Sequence, residues 1–310
     1  MKRDDVILIE SSHQIGTTMK MQRPQTEISQ WQEAANSWPW VREEWTDLPV
    51  DCRSVAVASK KIASLAPLLD LECLEELHLY PVTAQRLEVL GQLKKLKVLL
   101  LYDIRVESLG GLEALKNVEA LLIMHAAKLK TLSGLESFKK LRALRIYHLP
   151  NVASLEPLAQ LSRLRELSIQ MSFGTDKLIR FDSLEPLGRL RNLEILELLG
   201  VSPRDLSLRP LARLGKLSYL GVGSFLPIEE YAFLAAFLPS SISDCLRPII
   251  VFGEEKTDFV CRKCSSRQVG LVGKTSRRSR FLICPQCDKK VVDEHTRIFE
   301  MHLQASRQLQ

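Results

Sequence analysis

Leucine recurs at every third position over seven consecutive segments between Leu65 and Val222, and each segment restarts 22 to 29 residues after the one before. One unit runs Leu155, Leu158, Leu161, Leu164, Leu167, Ile169, and the next restarts as Leu184, Leu187, Leu190, Leu193, Leu196, Leu198. A spacing of three that gives way to a spacing of two is a helical turn leading into a short strand. No such unit can bury its apolar side alone, so the units must stack. The predicted fold is an α/β repeat solenoid, with a curved parallel sheet on the concave side and short helices or 3-10 turns on the convex side.

The units begin at Leu65, Leu87, Leu109, Leu132, Leu155, Leu184 and Leu208, and a degenerate half-unit precedes them, with Val55 and Val57 as its strand. Before six of the seven starts stands a hydroxyl residue (Ser64, Ser108, Thr131, Ser154, Ser183, Ser207), which predicts an N-cap on each turn. Two residues after the same six starts comes Pro67, Gly111, Gly134, Pro157, Pro186 or Pro210, and proline suits a first turn whose amides lack intrahelical partners. In the strands, pairs such as Leu99 and Leu101 or Leu144 and Ile146 point inward, each contributing roughly 1.5–3 kcal/mol on burial.

With serine, leucine, proline and then leucines every third residue, the chain resembles the leucine-rich repeat superfamily, in particular the short repeats of bacterial internalins. The resemblance covers about half the chain and implies a protein-binding surface. The family also places asparagine three residues after the strand's second leucine, where its amide links neighbouring coils. Here those positions hold Val82, Ile104, Ala126, Leu149, Ser172 and Val201, so that edge is expected to be held by aliphatic packing.

Side chains flanking the inward leucines must face outward on the concave side. One row reads Tyr80, Tyr102, Met124, Tyr147, Gln170, Leu199, and a second reads His78, Leu100, Leu122, Arg145, Ser168, Glu197. Solvent-facing sheet positions should be polar, yet Val98, Leu100, Tyr102, Ala120, Leu122 and Met124 make the centre apolar. That composition points to an interface. His78, Tyr80, Leu100, Tyr102, Leu122, Met124, Arg145 and Tyr147 are the candidate partner-binding residues, with the three tyrosines as anchors for a protein or peptide. The competing reading is that the N- or C-terminal extension folds back over the patch. His125 and His148, at equivalent positions in adjacent units, are a weaker candidate pair for a metal or an acidic partner. The longest unit, the fifth, carries its extra residues in a loop from Met171 to Lys177.

All four tryptophans, Trp31, Trp38, Trp40 and Trp45, lie just ahead of the first repeat, where they are expected to cover its open end. Val6 to Ile9 reads as a strand and Ser11 to Thr26 as loop. After the repeats, Pro227 to Leu238 reads as a capping helix with acids in its first turn, and Leu246 to Phe252 as a strand. The expected divisions are an N-terminal extension and cap over 1–50, repeats over 51–226, a helical cap and connector over 227–253, and a terminal module over 254–310.

That module holds two CxxC pairs, Cys261 with Cys264 and Cys284 with Cys287, separated by nineteen residues. Two such turns joined by a hairpin present four thiolates to one Zn²⁺, as in a zinc ribbon, and four protein ligands make the site structural. The hairpin strands are expected near Gln268 to Val272 and Arg280 to Ile283, followed by a helix from Val291. His295 and His302 belong to a docking face of that helix, since the ion already has four ligands. Cys52, Cys73 and Cys245 read as packing residues. From Arg262 to Arg280 there are seven basic residues and no acid, and Lys274, Arg277, Arg278 and Arg280 are candidates for phosphate contacts; a solvated basic loop is the plainer reading.

The formal net charge is +6, with twelve basic and seven acidic residues over 254–310. No apolar run suits a secretory signal or a membrane span, and thiols in metal spacing suit a reducing compartment, so the expectation is cytoplasmic. The sequence predicts a non-enzymatic protein-binding solenoid with a structural zinc. A nucleic-acid-associated adaptor acting through the basic hairpin is the alternative. A ubiquitin ligase fits poorly, because a cross-brace RING needs eight ligands and a cysteine nucleophile, for which Cys245 would be the candidate, needs a positioned base. The partner and the oligomeric state are not written in the sequence.

Overall fold

A computed structural model describes residues 24–45, 48–171, 177–252, 259–275 and 281–309. The expected strand at Val6 to Ile9, the loop from Ser11 as far as residue 23, the centre of the fifth-unit insertion (172–176) and Arg277, Arg278 and Arg280 lie outside the described residues.

Among the described residues the solenoid carries eleven strands: β1 (Trp40–Val41), β2 (Ser54–Ala58), β3 (Glu76–Tyr80), β4 (Val98–Tyr102), β5 (Ala120–Met124), β6 (Ala143–Tyr147), β7 (Glu166–Gln170), β8 (Ile179–Phe181), β9 (Ile195–Leu199), β10 (Val201–Pro203) and β11 (Tyr219–Val222). Nine of them form one parallel sheet in the order β1-β2-β3-β4-β5-β6-β7-β9-β11, while β8 and β10 pair separately. Register follows the leucine template, since Leu77, Leu99, Leu121, Leu144, Leu167, Leu196 and Leu220 sit side by side across successive strands. All seven are buried in one continuous aliphatic core.

The leucine spacing of three is the period of a 3-10 helix, and the backbone takes it literally. In the first unit the amides of Leu68, Leu71 and Leu74 donate to the carbonyls of Leu65, Leu68 and Leu71, and the fifth unit repeats the chain at Leu158, Leu161 and Leu164. The six hydroxyls act one step earlier than an N-cap. Each accepts from the amide two residues on, at 3.1 to 3.4 Å, as in Ser64 with Ala66, Thr131 with Ser133 and Ser154 with Glu156. They close a tight side-chain turn that aims the following leucine inward.

The missing asparagines are replaced twice over. Val82, Ile104, Ala126, Leu149 and Val201 are buried, as expected. At three of these positions a coil-to-coil bond comes from the main chain: Val82 N–H donates to the Asp103 carbonyl, Ile104 to His125 and Ala126 to His148, each at 3.1 Å. Asp103, His125 and His148 all have φ near +57°, and Gly200, at the same place in a later unit, has φ +71°. This left-handed turn after the strand swings the carbonyl toward the preceding coil. It also accounts for the paired histidines, because Asp, His and Gly tolerate that conformation better than β-branched residues do.

The second unit departs from the pattern with a true helix, α2 (Ala84–Leu90), and α1 (Glu27–Ala34) lies ahead of the repeats. From α2, Arg86 is buried and donates to four carbonyls, those of Tyr80 (2.9 Å), Pro81 (3.1 Å), Ser59 (2.8 Å) and Ile62. One guanidinium thereby satisfies the turn after β3, where the Tyr80–Pro81 peptide is cis.

The C-terminal region folds as expected into α3 (Ile228–Phe237), β12 (Ile249–Val251), β13 (Val269–Leu271), β14 (Leu282–Ile283) and α4 (Lys289–Arg307). The three strands form an antiparallel sheet with β13 in the centre. It is joined to the solenoid: α4 packs on α3, and Phe252, Val272, Phe299 and Leu303 belong to the same core as the repeat leucines. The hairpin also bonds directly to the cap, with Lys274 N–H donating to Leu226 (2.7 Å) and Ile228 N–H to Lys274 (3.0 Å). Among the described residues no helix is long and apolar enough to cross a membrane.

Candidate functional site

The outward face of β4, β5 and β6 is apolar, as the sequence indicates, but it does not face solvent. The chain's own α1 lies on it. Ile28, Ala35 and Trp38 are buried against Val98, Leu100, Tyr102, Ala120, Leu122, Ala143 and Tyr147, with Trp31, Tyr80 and Met124 at the margin. Of the two readings left open by the sequence, coverage by the N-terminal extension is the one observed, and the open face is corrected: His78, Leu100, Tyr102, Leu122, Arg145 and Tyr147 are all under 5% exposed, and of the eight candidates only Tyr80 and Met124 keep part of their surface. The physical reason is the one that marked the patch, since apolar outward positions are covered by whatever apolar segment can reach them.

The tryptophans divide between two tasks. Trp40 lies in β1, which extends the sheet by pairing with β2, and Trp45 packs on the repeat core with its indole N–H on the Ser64 carbonyl at 3.0 Å, so these two close the first coil as expected. Trp31 and Trp38 instead serve the concave face.

Polar contacts fix α1 in register. Thr26 caps it by accepting from Ser29 N–H, and the same hydroxyl accepts from Arg145, whose guanidinium also reaches Gln32 Oε1 (2.8 Å) and Ser29 Oγ (3.1 Å). Glu27 N–H donates to Glu166 Oε2 at 2.8 Å, and the Glu27 carboxylate meets Arg142 at 2.9 Å. Burial raises the Glu166 carboxyl above its ordinary range, with the Glu27 amide opposing the shift. Further along the groove, Ser168, Gln170 and Glu197 form a buried network in which Ser168 Oγ and Gln170 Nε2 both donate to Glu197 Oε2 (2.8 and 2.9 Å).

His78 stands apart. Its ring lies 5.2 Å from Trp40 and 4.4 Å from Tyr102, it is 1% exposed, and neither nitrogen has a hydrogen-bond partner. Burial holds the imidazole down to about 4 and pushes the Tyr102 phenol up to about 12. The Tyr102 hydroxyl has Gln32 beside it, outside good hydrogen-bonding geometry.

The four expected cysteines converge, their sulfurs all within 4.8 Å of one another. Cys261 and Cys287 are 3.8 Å apart and Cys264 and Cys284 3.4 Å. One tetrahedral ion with metal–sulfur bonds of ~2.3 Å needs sulfur pairs about 3.8 Å apart, so the set can hold a metal. Two matching turns supply it, since Ser265 N–H donates to the Cys261 carbonyl and Asp288 N–H to that of Cys284. Amide N–H groups also point at the sulfurs, as in Cys287 N–H on Cys284 Sγ at 3.4 Å. The Ser266 hydroxyl draws the Cys264 thiol down to about 6, the Lys263 amide lowers that of Cys261, and the adjoining Cys264 pushes Cys287 up to about 12. His295 and His302 are outside the set, and His295 sits within 3.0 Å of the Val272 carbonyl as a docking residue of α4.

Leucines bonded at every third residue, feeding parallel strands held in register, define a leucine-rich repeat solenoid. This chain is one. No protein-family model matches it, and no curated protein does. Among solved structures it is similar to internalin C2 of Listeria monocytogenes, at 20% identity over 57% of this chain and 73% of that one, with a TM-score of 0.45. A second internalin from the same organism matches at 18% identity over 60% of this chain, with a TM-score of 0.40, and an LRR protein of Leptospira interrogans at 18% over 70%, with 0.39. The matches span 58% and 64% of those two chains.

Of the remaining cysteines, Cys52 packs on the core and Cys73 is exposed, which corrects its expected packing role. Cys245 is fully buried, donates to the Val222 carbonyl and is pushed by burial up to about 12, the opposite of an activated nucleophile. Lys274 is the one described member of the four expected phosphate contacts. It borders a cleft of about 560 Å³ between α3, α4 and the β8–β10 pair. Arg86 and the roles of Thr26 and Gln32 carry no sequence signal, because each acts through partners brought close only by folding.

Proposed function

We propose that this solenoid is a non-enzymatic recognition module, with a concave groove that takes a segment of another protein and a structural Zn²⁺ on Cys261, Cys264, Cys284 and Cys287. The carrying observation is the groove itself: an outward sheet face of Val98, Leu100, Tyr102, Ala120 and Leu122 that already receives a helix from far away in sequence. Four soft thiolates in tetrahedral spacing suit Zn²⁺, and a closed ligand set leaves it no position for substrate. When bound, the ion supplies folding energy to 254–310, which then holds α4 against the cap. Metal-bound thiols fit a reducing cytoplasm. The phosphate-binding alternative through the basic hairpin is less favoured.

The test is a differential capture from the native host. A variant carrying Ile28→Asp and Trp31→Ala opens the groove, and the same variant with Leu100→Arg spoils it. Proteins retained by the first and lost by the second support the reading. Identical capture by both, with the repeats folded by circular dichroism, refutes it.

A further inference from the structure

The cleft between α3, α4 and the β8–β10 pair sits where the chain departs from its own template. β8 falls in the longest unit and pairs with β10 outside the main sheet, a wall that the other described coils lack. Pro227 to Glu229 at the start of α3, Lys274 and Thr275 of the hairpin, and Ile298 and His302 of α4 complete an enclosure of about 560 Å³. That is the size of a site for a small organic molecule.

Two kinds of side chain line it. Leu178, Leu206, Phe225, Pro227 and Ile298 are apolar, and none of them is fully buried. Leu206 is 43% exposed and held at φ +56°, a conformation that costs a leucine more than a glycine or an asparagine. The basic side chains are Arg180, Lys274 and His302, set against one acid, Glu229. Among the described residues none of the three forms an ion pair. Arg180 donates to Ser202 Oγ at 3.1 Å, and that hydroxyl is itself only 2% exposed. The main chain of Lys274 is pinned by its bonds with Leu226 and Ile228, so the residue is fixed at the cleft while its ammonium makes no bond among the described residues. Two permanent cations against one carboxylate leave a single positive charge beside apolar surface that still meets water.

We propose that this cleft is a binding site for a small amphiphilic carboxylate, an organic acid with a short apolar body. Arg180 and Lys274 take the carboxylate, the Ser202 hydroxyl holds the guanidinium in place, and Leu206, Phe225 and Ile298 cover the apolar body. The site shares no residue with the concave groove. Its walls come from both the solenoid and the terminal module, so occupancy stabilises the joint between them.

Octanoate, octylammonium, octyl phosphate and acetate are titrated into the full chain by isothermal titration calorimetry, with amide NMR shifts to locate the site. Octanoate is expected to bind once, to shift the amides of Leu178, Ser202, Leu206 and Lys274, and to bind at least about tenfold more tightly than octylammonium or acetate. Arg180→Gln and Lys274→Gln, both at exposed positions, should each weaken octanoate about tenfold through loss of a charge-assisted bond. Leu206→Asp should abolish binding by setting a second carboxylate against the ligand. Equal binding of octanoate and octylammonium makes the cleft a plain apolar patch and overturns the proposal. Tighter binding of octyl phosphate replaces the carboxylate as the cognate group, with the same result. Shifts confined to other parts of the chain, an affinity unchanged in both charge variants, or no binding of octanoate at millimolar concentration also overturn it.

Discussion

The buried imidazole of His78 makes closure of the N-terminal segment over the sheet depend on pH. In the closed state burial holds the ring down to about 4, whereas an exposed histidine titrates near 6.5. The open state therefore binds a proton over a range in which the closed state does not, and stability is lost as pH falls through 6.5 toward 4 and levels off below. At 1.36 kcal/mol per pH unit the full loss is about 3 kcal/mol, of which about 2 kcal/mol is reached at pH 5. The smallest opening that exposes His78 lifts β1 and α1, so hydrogen exchange of their amides reads it. After correction for the intrinsic pH dependence of exchange, protection factors there should fall about thirtyfold between pH 8 and pH 5. Glu166 works in the opposite sense: its raised carboxyl makes closure more favourable as pH falls through that carboxyl's range. The comparison is therefore with His78→Leu, which keeps Glu166, Glu27, Arg142 and Arg145 and removes only the imidazole. Parallel profiles for the two proteins would refute the reasoning.

Cys284→Ser should abolish stoichiometric zinc by elemental analysis and make 259–309 protease-sensitive, with the repeats retained and a lower melting temperature, because Phe299 and Leu303 leave the shared core. Arg86→Met should cost about 3 kcal/mol in urea unfolding, since four carbonyls lose a charged donor and three of the bonds, to Pro81, Ser59 and Ile62, are buried. Gly273→Ala should loosen the hairpin from the cap: its φ is +78° and a Cβ there would lie 2.6 Å from the Ile228 Cα, so limited proteolysis should cut ahead of β14 faster than in the parent.

What could be read beforehand was whatever is local or periodic. Leucines three apart specify the turn and then the strand within a dozen residues, and two CxxC pairs carry their own geometry, so both appear where expected. The identity of the turn as 3-10 was also present, in a period of three where an α-helix would show 3.6. The cover over the concave face was not readable in the same way. The helix Glu27–Ala34 is short and only weakly sided, and its partners Arg142 and Arg145 lie more than a hundred residues on. Two halves of the signal were visible separately, an outward face too apolar for water and a tryptophan-rich segment with two indoles more than the first coil needs. Joining them required the folded sheet, which brings the N-terminal segment onto strands more than a hundred residues on.

The left-handed residue after each strand has a consequence for how this spine can change over time. Where asparagine amides tie neighbouring coils, the tie is a side chain and is lost with a single codon. Here the bonds run from Val82 to Asp103, Ile104 to His125 and Ala126 to His148 through the main chain alone. What must be inherited is a tolerance for one backbone conformation, which Asp, His and Gly all supply. Such a spine can drift in sequence while its spacing stays fixed, and a template that looks for asparagine at those positions will pass over it.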